Sequence, residues 1–142
     1  MGNGGRSEAM RETSRHVGRL DGLAEWKVED LVRRAEDVGR ELSRDMTTSH
    51  IRNFLDEVNR IDAVVKGRES EFDSSRVVLL KPLLAYAAGR ESNRKKQDAL
   101  KDFANLFSAA ADRTTNAADF KRFVDFTRAV VAYHRFHGGS NQ

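Results

Sequence analysis

The run from Val77 to Arg90, VVLLKPLLAYAAGR, is the most apolar stretch of the chain and constrains the fold more than any other feature. As a helix it is apolar on nearly every side, and such a helix has to be surrounded by other elements. It is therefore predicted to be the buried centre of an all-α fold, a helix over about 74–89 with amphipathic helices packed around it. Pro82 removes one amide donor, so this helix is expected to bend or restart there. A strand over 77–80 leading into a helix from Pro82 is the competing reading, but no second strand is evident to pair with it. Gly89 is the expected C-cap. Lys81, the one charge inside the run, needs a partner or a route to water, because an unpaired ammonium is costly to bury.

The flanking segments supply the surrounding helices. Val28, Leu31, Val32, Ala35, Val38 and Leu42 form a stripe with helical spacing, predicting a helix from about Glu25 to Leu42. Glu29 with Arg33, Asp30 with Arg34 and Glu36 with Arg40 are acid-first pairs on its wet side. A second helix begins at Thr47-Thr48-Ser49, with Thr48 or Ser49 as the expected cap, and carries Ile51, Phe54, Leu55, Val58, Ile61 and Val65 to Gly67. After the central run, Ala99, Leu100, Phe103, Leu106, Phe107 and Ala110 mark a helix over about Arg94 to Ala111. Asn116 and Asp119 resemble a cap and its first-turn acid, opening a last helix to about Phe136 with Phe120, Phe123, Val124, Thr127, Val130, Val131 and His134 inward. The expected fold is thus a compact all-α bundle of about five helices. Residues 1–24, rich in Gly, Ser and Arg, are expected to be a flexible N-terminal tail, and 25–139 a single helical domain.

Composition excludes several chemistries. The chain has 142 residues and no Cys, so it has no thiolate nucleophile, disulfide or thiolate metal site. The apolar run is too short and too interrupted to span a bilayer. Met1 to Gly5 lack the apolar core of a signal peptide, and Arg6 stands where a myristoylation signal wants Ser or Thr. A cytoplasmic protein with no membrane partner is expected. No Walker or Rossmann glycine loop and no zinc motif is evident, and no cofactor is expected. His134 and His137 are spaced i,i+3, but no third ligand is evident for a metal. His134 is read as a core-edge residue, His137 as a cation for the last carbonyls of its helix, and His50 as a surface first-turn residue.

What remains is the placement of cations. The net charge is only +3, so local distribution decides. Arg52 opens the second helix, where a cation opposes the helix dipole unless Asp56 or an outside anion meets it. Lys81 and Arg90 lie within the central run, and Arg94, Lys95 and Lys96 form the densest basic spot in the chain. Together these are candidates for a strip that holds a nucleic-acid backbone through its phosphates. Arg6, Arg11, Arg15 and Arg19 of the tail are read as solvated, with RNA contact as the rival reading.

Three separated stretches carry a family resemblance. They are Thr47–Phe54 (TTSHIRNF), Leu79–Arg90 (LLKPLLAYAAGR), and Phe120–Val124 (FKRFV) with Val131–Gly139 (VAYHRFHGG). In this order the chain resembles the small subunit of type III-A CRISPR–Cas effector complexes, over about Thr47 to Gly139. Two positions depart from the family pattern, which has Gln where His50 stands and Tyr where His137 stands. The resemblance implies a helical protein without catalytic activity that stacks in several copies along a crRNA-guided complex, contacting the crRNA–target RNA duplex and neighbouring subunits. Self-association, as stacked copies or as a dimer in isolation, follows from the same resemblance. It implies Arg52, Lys81 and Arg90 as RNA-binding residues, with Lys121, Arg122 and Arg135 inside motif segments of less certain direction. Arg94, Lys95 and Lys96 rest on charge density alone. The alternatives are a helical protein-interaction module acting as a homodimer, a metal nuclease built on His134 and His137, and the small subunit of type III-B complexes.

Overall fold

In a computed structural model, which describes residues 7–139, the chain is all α-helical, and no strand occurs among the described residues. The helices are α1 (Glu8–Gly18), α2 (Val28–Leu42), α3 (Thr48–Val65), α4 (Ser75–Val78), α5 (Leu80–Arg90), α6 (Arg94–Asp112) and α7 (Ala117–Phe136). Short 3-10 turns occur at Leu23–Glu25 and Glu69–Glu71. The readings made for Met1 to Arg6 lie outside the described residues.

The centre of the bundle is α7 rather than the apolar run. Its Phe120, Phe123, Val124, Phe126, Thr127, Val130 and His134 are all buried, and it packs along α2, against α3 and against the Leu23–Glu25 turn. α2 and α7 run in the same direction: Arg122 meets Trp26 at one end, and His137 meets Glu36 at the other. Between them Gly39 of α2 is buried where a Cβ would lie 2.7 Å from the His134 amide nitrogen. Only a residue without a side chain lets the two backbones approach so closely.

The expectation of a buried central helix over 74–89 is corrected in two ways. The segment breaks at Leu79 into α4 and α5, and Pro82 falls in the first turn of α5, where its missing amide had no intrahelical partner to lose. Gly89 lies inside α5, which continues to Arg90. More important, α5 sits at the edge of the bundle. It buries one line, Leu80, Leu84 and Ala88, and leaves Leu79 at 67%, Leu83 at 42% and Tyr86 at 68% exposure. The physical reason is competition: α7 has one of the chain's richest sets of large apolar side chains, Phe120, Phe123, Phe126 and Val130 among them, and takes the middle. α5 is short, spends Ala85, Ala87, Ala88 and Gly89 on small side chains, and carries Lys81 and Arg90 on opposite faces.

The tail expected over 1–24 is also corrected where it can be described. Residues 8–18 form α1, with Met10, Thr13 and Val17 buried against α2 and α6. Both ends of α1 are held from elsewhere in the chain. The Glu41 carboxylate of α2 accepts hydrogen bonds from the Ala9 and Met10 amides, each at 3.0 Å, capping the helix that its own Ser7 does not cap. At the other end the Arg113 guanidinium donates to the Gly18 carbonyl at 2.7 Å.

His134 is fully buried. Its Nε2–H donates to the Met46 carbonyl at 2.7 Å, which fixes the tautomer and leaves Nδ1 without a partner among the described residues. Gly139 lies over the ring, where a Cβ would come within 2.1 Å of Cε1. Burial holds the His134 pKa below the ordinary histidine value. A histidine lowered on folding stabilises the native state above its unfolded value of about 6.5 and loses that contribution as pH falls through the lower folded value. His16, lowered chiefly by burial and then by Arg34, adds the same sign; Glu41, raised by burial, opposes it. The melting temperature is therefore expected to fall between about pH 7 and pH 5, and less steeply in His134→Gln. Parallel pH profiles for the two proteins would rule out His134 as a contributor.

Candidate nucleic-acid interface

The TTSH motif builds the start of α3. Thr47, rather than Thr48 or Ser49, is the cap: its hydroxyl accepts from the His50 amide at 3.3 Å, and His50 Nδ1 accepts from the Thr47 amide at 3.4 Å. This reciprocal pair closes the first turn of the helix. With Nδ1 accepting, the ring proton sits on Nε2, which points at Glu91 at 3.3 Å and ties α3 to the turn after α5. His50 is thus a joint between elements and not a loose surface group. His137 likewise meets Glu36 of α2 at 3.2 Å instead of the last carbonyls of its own helix.

The six cations read as one strip, Arg52, Lys81, Arg90, Arg94, Lys95 and Lys96, do not lie along one line. Lys81 and Arg90 stand nine residues apart on α5, two and a half turns, and so lie on opposite sides roughly 13 Å apart along the axis. Lys81 turns to α6, where its Nζ meets Asp112 at 2.5 Å. Arg90 turns to α3 and lies over the Tyr86 ring, 5.7 Å from the centroid. Arg52 is exposed and makes no ion pair among the described residues; the expected pair with Asp56 is not formed. It shares a line of α3 with Asn59, two turns on, and Asn59 accepts from Arg128 of α7 at 2.9 Å. Arg52 therefore belongs to the α7 side of α3, away from Arg90.

Near the N-terminus of α7 the two neighbouring cations diverge. Arg122 is half-buried and spent on the fold: its Nε donates to the Trp26 carbonyl at 3.1 Å, and Nη1 meets Asp125 at 3.3 Å. Lys121 is exposed on the side of Glu69. Arg135 is exposed near the far end of α7.

The turn from α5 to α6 does gather cations. Arg90 ends α5, and Arg94, Lys95 and Lys96 form the first turn of α6, which Asn93 caps by accepting from the Lys96 amide at 3.0 Å. Arg94 pairs loosely with Asp98 at 3.6 Å, and Glu91, held below the usual carboxylate range chiefly by the Asn93 amide, is the other local acid. Three lysine or arginine side chains opening a helix oppose its dipole, an arrangement that an outside anion relieves.

Beside this corner runs a groove of about 680 Å³ between α3 and α5. Its floor is Phe54, Leu84, Leu100 and Phe103; its rims carry Asn53, Glu57 and Arg60 on one side and Leu83, Tyr86 and Arg90 on the other. With Leu79 and Val78 next to it, this is the largest run of exposed apolar side chains in the described chain. The sequence pointed at these residues as core. The signal that they form a surface was the pair of cations, Lys81 and Arg90, on opposite sides of a short helix.

Among the described residues no group of three or more histidines and carboxylates is placed to hold a metal, and no helix is long and apolar enough to cross a membrane. A family model described as Csm2 Type III-A matches residues 25–140. No curated protein and no solved structure matches the chain.

Proposed function

The chain belongs to the Csm2 Type III-A family, a structural subunit of the type III-A CRISPR effector, and from that premise we propose that it grips the backbone of the crRNA–target RNA duplex without catalysing a reaction. The observation that carries the reading is the basic corner at the α5–α6 turn, Arg90 with Arg94, Lys95 and Lys96, where four cations fall within seven residues and only Arg94 makes an ion pair among the described residues. A guide complex leaves sequence reading to base pairing, so its proteins need contacts to backbone and shape only. Arg supplies bidentate phosphate contacts and Lys point charges. Arg52, Lys121 and Arg135 are proposed as secondary points of contact. Lys81 and Arg122 act through the fold, each being engaged by an acid of the chain itself.

Stacked copies or other subunits of the complex would dock on the exposed apolar face of α5. Leu79, Leu83 and Tyr86 support this, because contiguous exposed apolar groups mark interaction surfaces. Repetition then lets weak contacts add, so a small net charge per copy suffices. The same face favours a second reading, in which the isolated chain pairs with another copy of itself. A cytoplasmic location is part of the proposal.

The experiment is RNA binding by the full chain across a salt series, with wild type beside Arg90→Gln/Lys95→Gln/Lys96→Gln. Wild type is expected to bind duplex RNA without sequence preference, with affinity falling steeply in salt. Three lost phosphate contacts should make the slope of log K against log salt shallower by about 2. Unchanged affinity and slope in the variant would remove the corner from the RNA path.

A further inference from the structure

We propose that α1 is a second RNA-backbone contact, carried by the ridge Arg11, Arg15 and Arg19; the inference rests on the RNA-binding reading above. The helix lies wholly outside residues 25–140, the span shared with the family, so nothing in that match assigns it a role. Its three arginines follow one another at intervals of one turn, all exposed. None makes an ion pair or a side-chain hydrogen bond among the described residues. Arg33, Arg34, Arg40, Arg60, Arg122 and Arg128 are each tied to a carboxylate; Arg44, Arg52, Arg68 and Arg76 are exposed without an ion pair among the described residues, but only along α1 do three such arginines follow one another at helical spacing. Glu8 and Glu12 share the outer side of α1 but leave the arginines unpaired.

The ridge is presented rigidly. Glu41 caps the start of α1 and Arg113 clasps its end, so Arg11 and Arg15 stand on a helix docked to the body, with Arg19 at its C-cap, and not on a loose tail. From Arg11 to Arg19 the ridge spans roughly 12 Å, long enough to meet more than one phosphate of a strand. α1 runs alongside α6, with Gly18 beside Arg113, and with Arg11 and Arg15 beside Asp102 and Asn105. Lys95 lies two turns before Asp102 on the same line of α6, so the ridge points towards the basic corner. A backbone leaving the corner along α6 meets Arg11 next.

The test uses the full chain and labelled duplex RNA. Arg11→Gln/Arg15→Gln/Arg19→Gln is expected to bind at least tenfold more weakly at low salt, with a salt slope shallower by about 2 and an unchanged melting temperature. Glu8→Gln/Glu12→Gln is expected to tighten binding a few-fold. If the corner variant loses affinity while the ridge variant binds like wild type, the ridge proposal falls and the function stands. If wild type binds no RNA at any salt, both fall together.

Discussion

Phe107→Ala is expected to lower the unfolding free energy by about 4 kcal/mol, the middle of the range for removing a buried aromatic ring. Phe107 is 1% exposed and sits where three helices meet. Its ring centroid lies 4.8 Å from Phe54 on α3, 4.7 Å from Phe103 on its own helix, and 5.4 and 5.8 Å from Phe126 and Phe123 on α7. Truncation removes apolar area from the core, forfeits the edge and tilted ring contacts, and leaves a cavity that four rigid rings cannot collapse into. Against a typical total of roughly 5–15 kcal/mol, the loss is a large share of stability. Urea unfolding should show a lower midpoint with an unchanged slope. Leu79→Ala, a loss of an exposed apolar side chain at the N-cap of α5, should stay within about 0.5 kcal/mol. Equal losses at the two positions would contradict the placement of α5 at the edge.

That contrast shows what the sequence carried and what it did not. The helices with clean stripes, α2, α3, α6 and α7, were legible because burial of a periodic apolar face is a local property of the chain. The ranking of those helices from centre to edge was not, because it depends on which faces win the limited interior. Val77–Leu84 has high apolar content, but its buried line of Leu80, Leu84 and Ala88 is thinner than the phenylalanine-rich face of α7. α1 was missed for another reason. Its buried set is only Met10, Thr13 and Val17, and its cap is supplied by Glu41, 32 residues away from Ala9. The spacing of Met10 and Val17 by seven residues was the available signal, and the surrounding glycines hid it.

The candidate site was legible as a set of cations and not as a surface. Charge density alone found Arg94, Lys95 and Lys96, which do gather with Arg90. The motif positions Lys81 and Arg122 looked equally available, yet Asp112 and the Trp26 carbonyl claim them. Several residues of the three motif stretches are structural in the same way. Thr47 and His50 close a helix, His134 braces the Met46 carbonyl, and Gly139 is there because the imidazole leaves no room for a side chain.

Asp119→Ala should cost about 3 kcal/mol, through lost hydrogen bonds rather than lost apolar area. The Asp119 carboxylate is 3% exposed and makes no ion pair among the described residues. Oδ1 accepts from the Ala24 amide at 2.8 Å, and Oδ2 accepts from the Thr115 amide at 3.1 Å and the Thr115 hydroxyl at 3.2 Å. It stands in the first turn of α7, where the helix dipole favours an anion. Alanine would leave the Ala24 and Thr115 amides, both in part-buried hydrogen bonds, without their acceptor, and removing one partner costs more than the pair contributes. Asp119→Asn would not restore the full stability, because the new amide group would bring a donor against either the Ala24 or the Thr115 donors. Hydrogen exchange is the decisive readout: the Ala24 and Thr115 amides should lose protection before the α3–α6 core does. Because Asp119 fastens residues 22–24 to α7, and those residues lead directly back to α1, the same variant should loosen the arginine ridge. RNA affinity should then drop in Asp119→Ala even though no cation was removed, and an affinity equal to wild type in a destabilised variant would show that α1 keeps its place without the Asp119 contact.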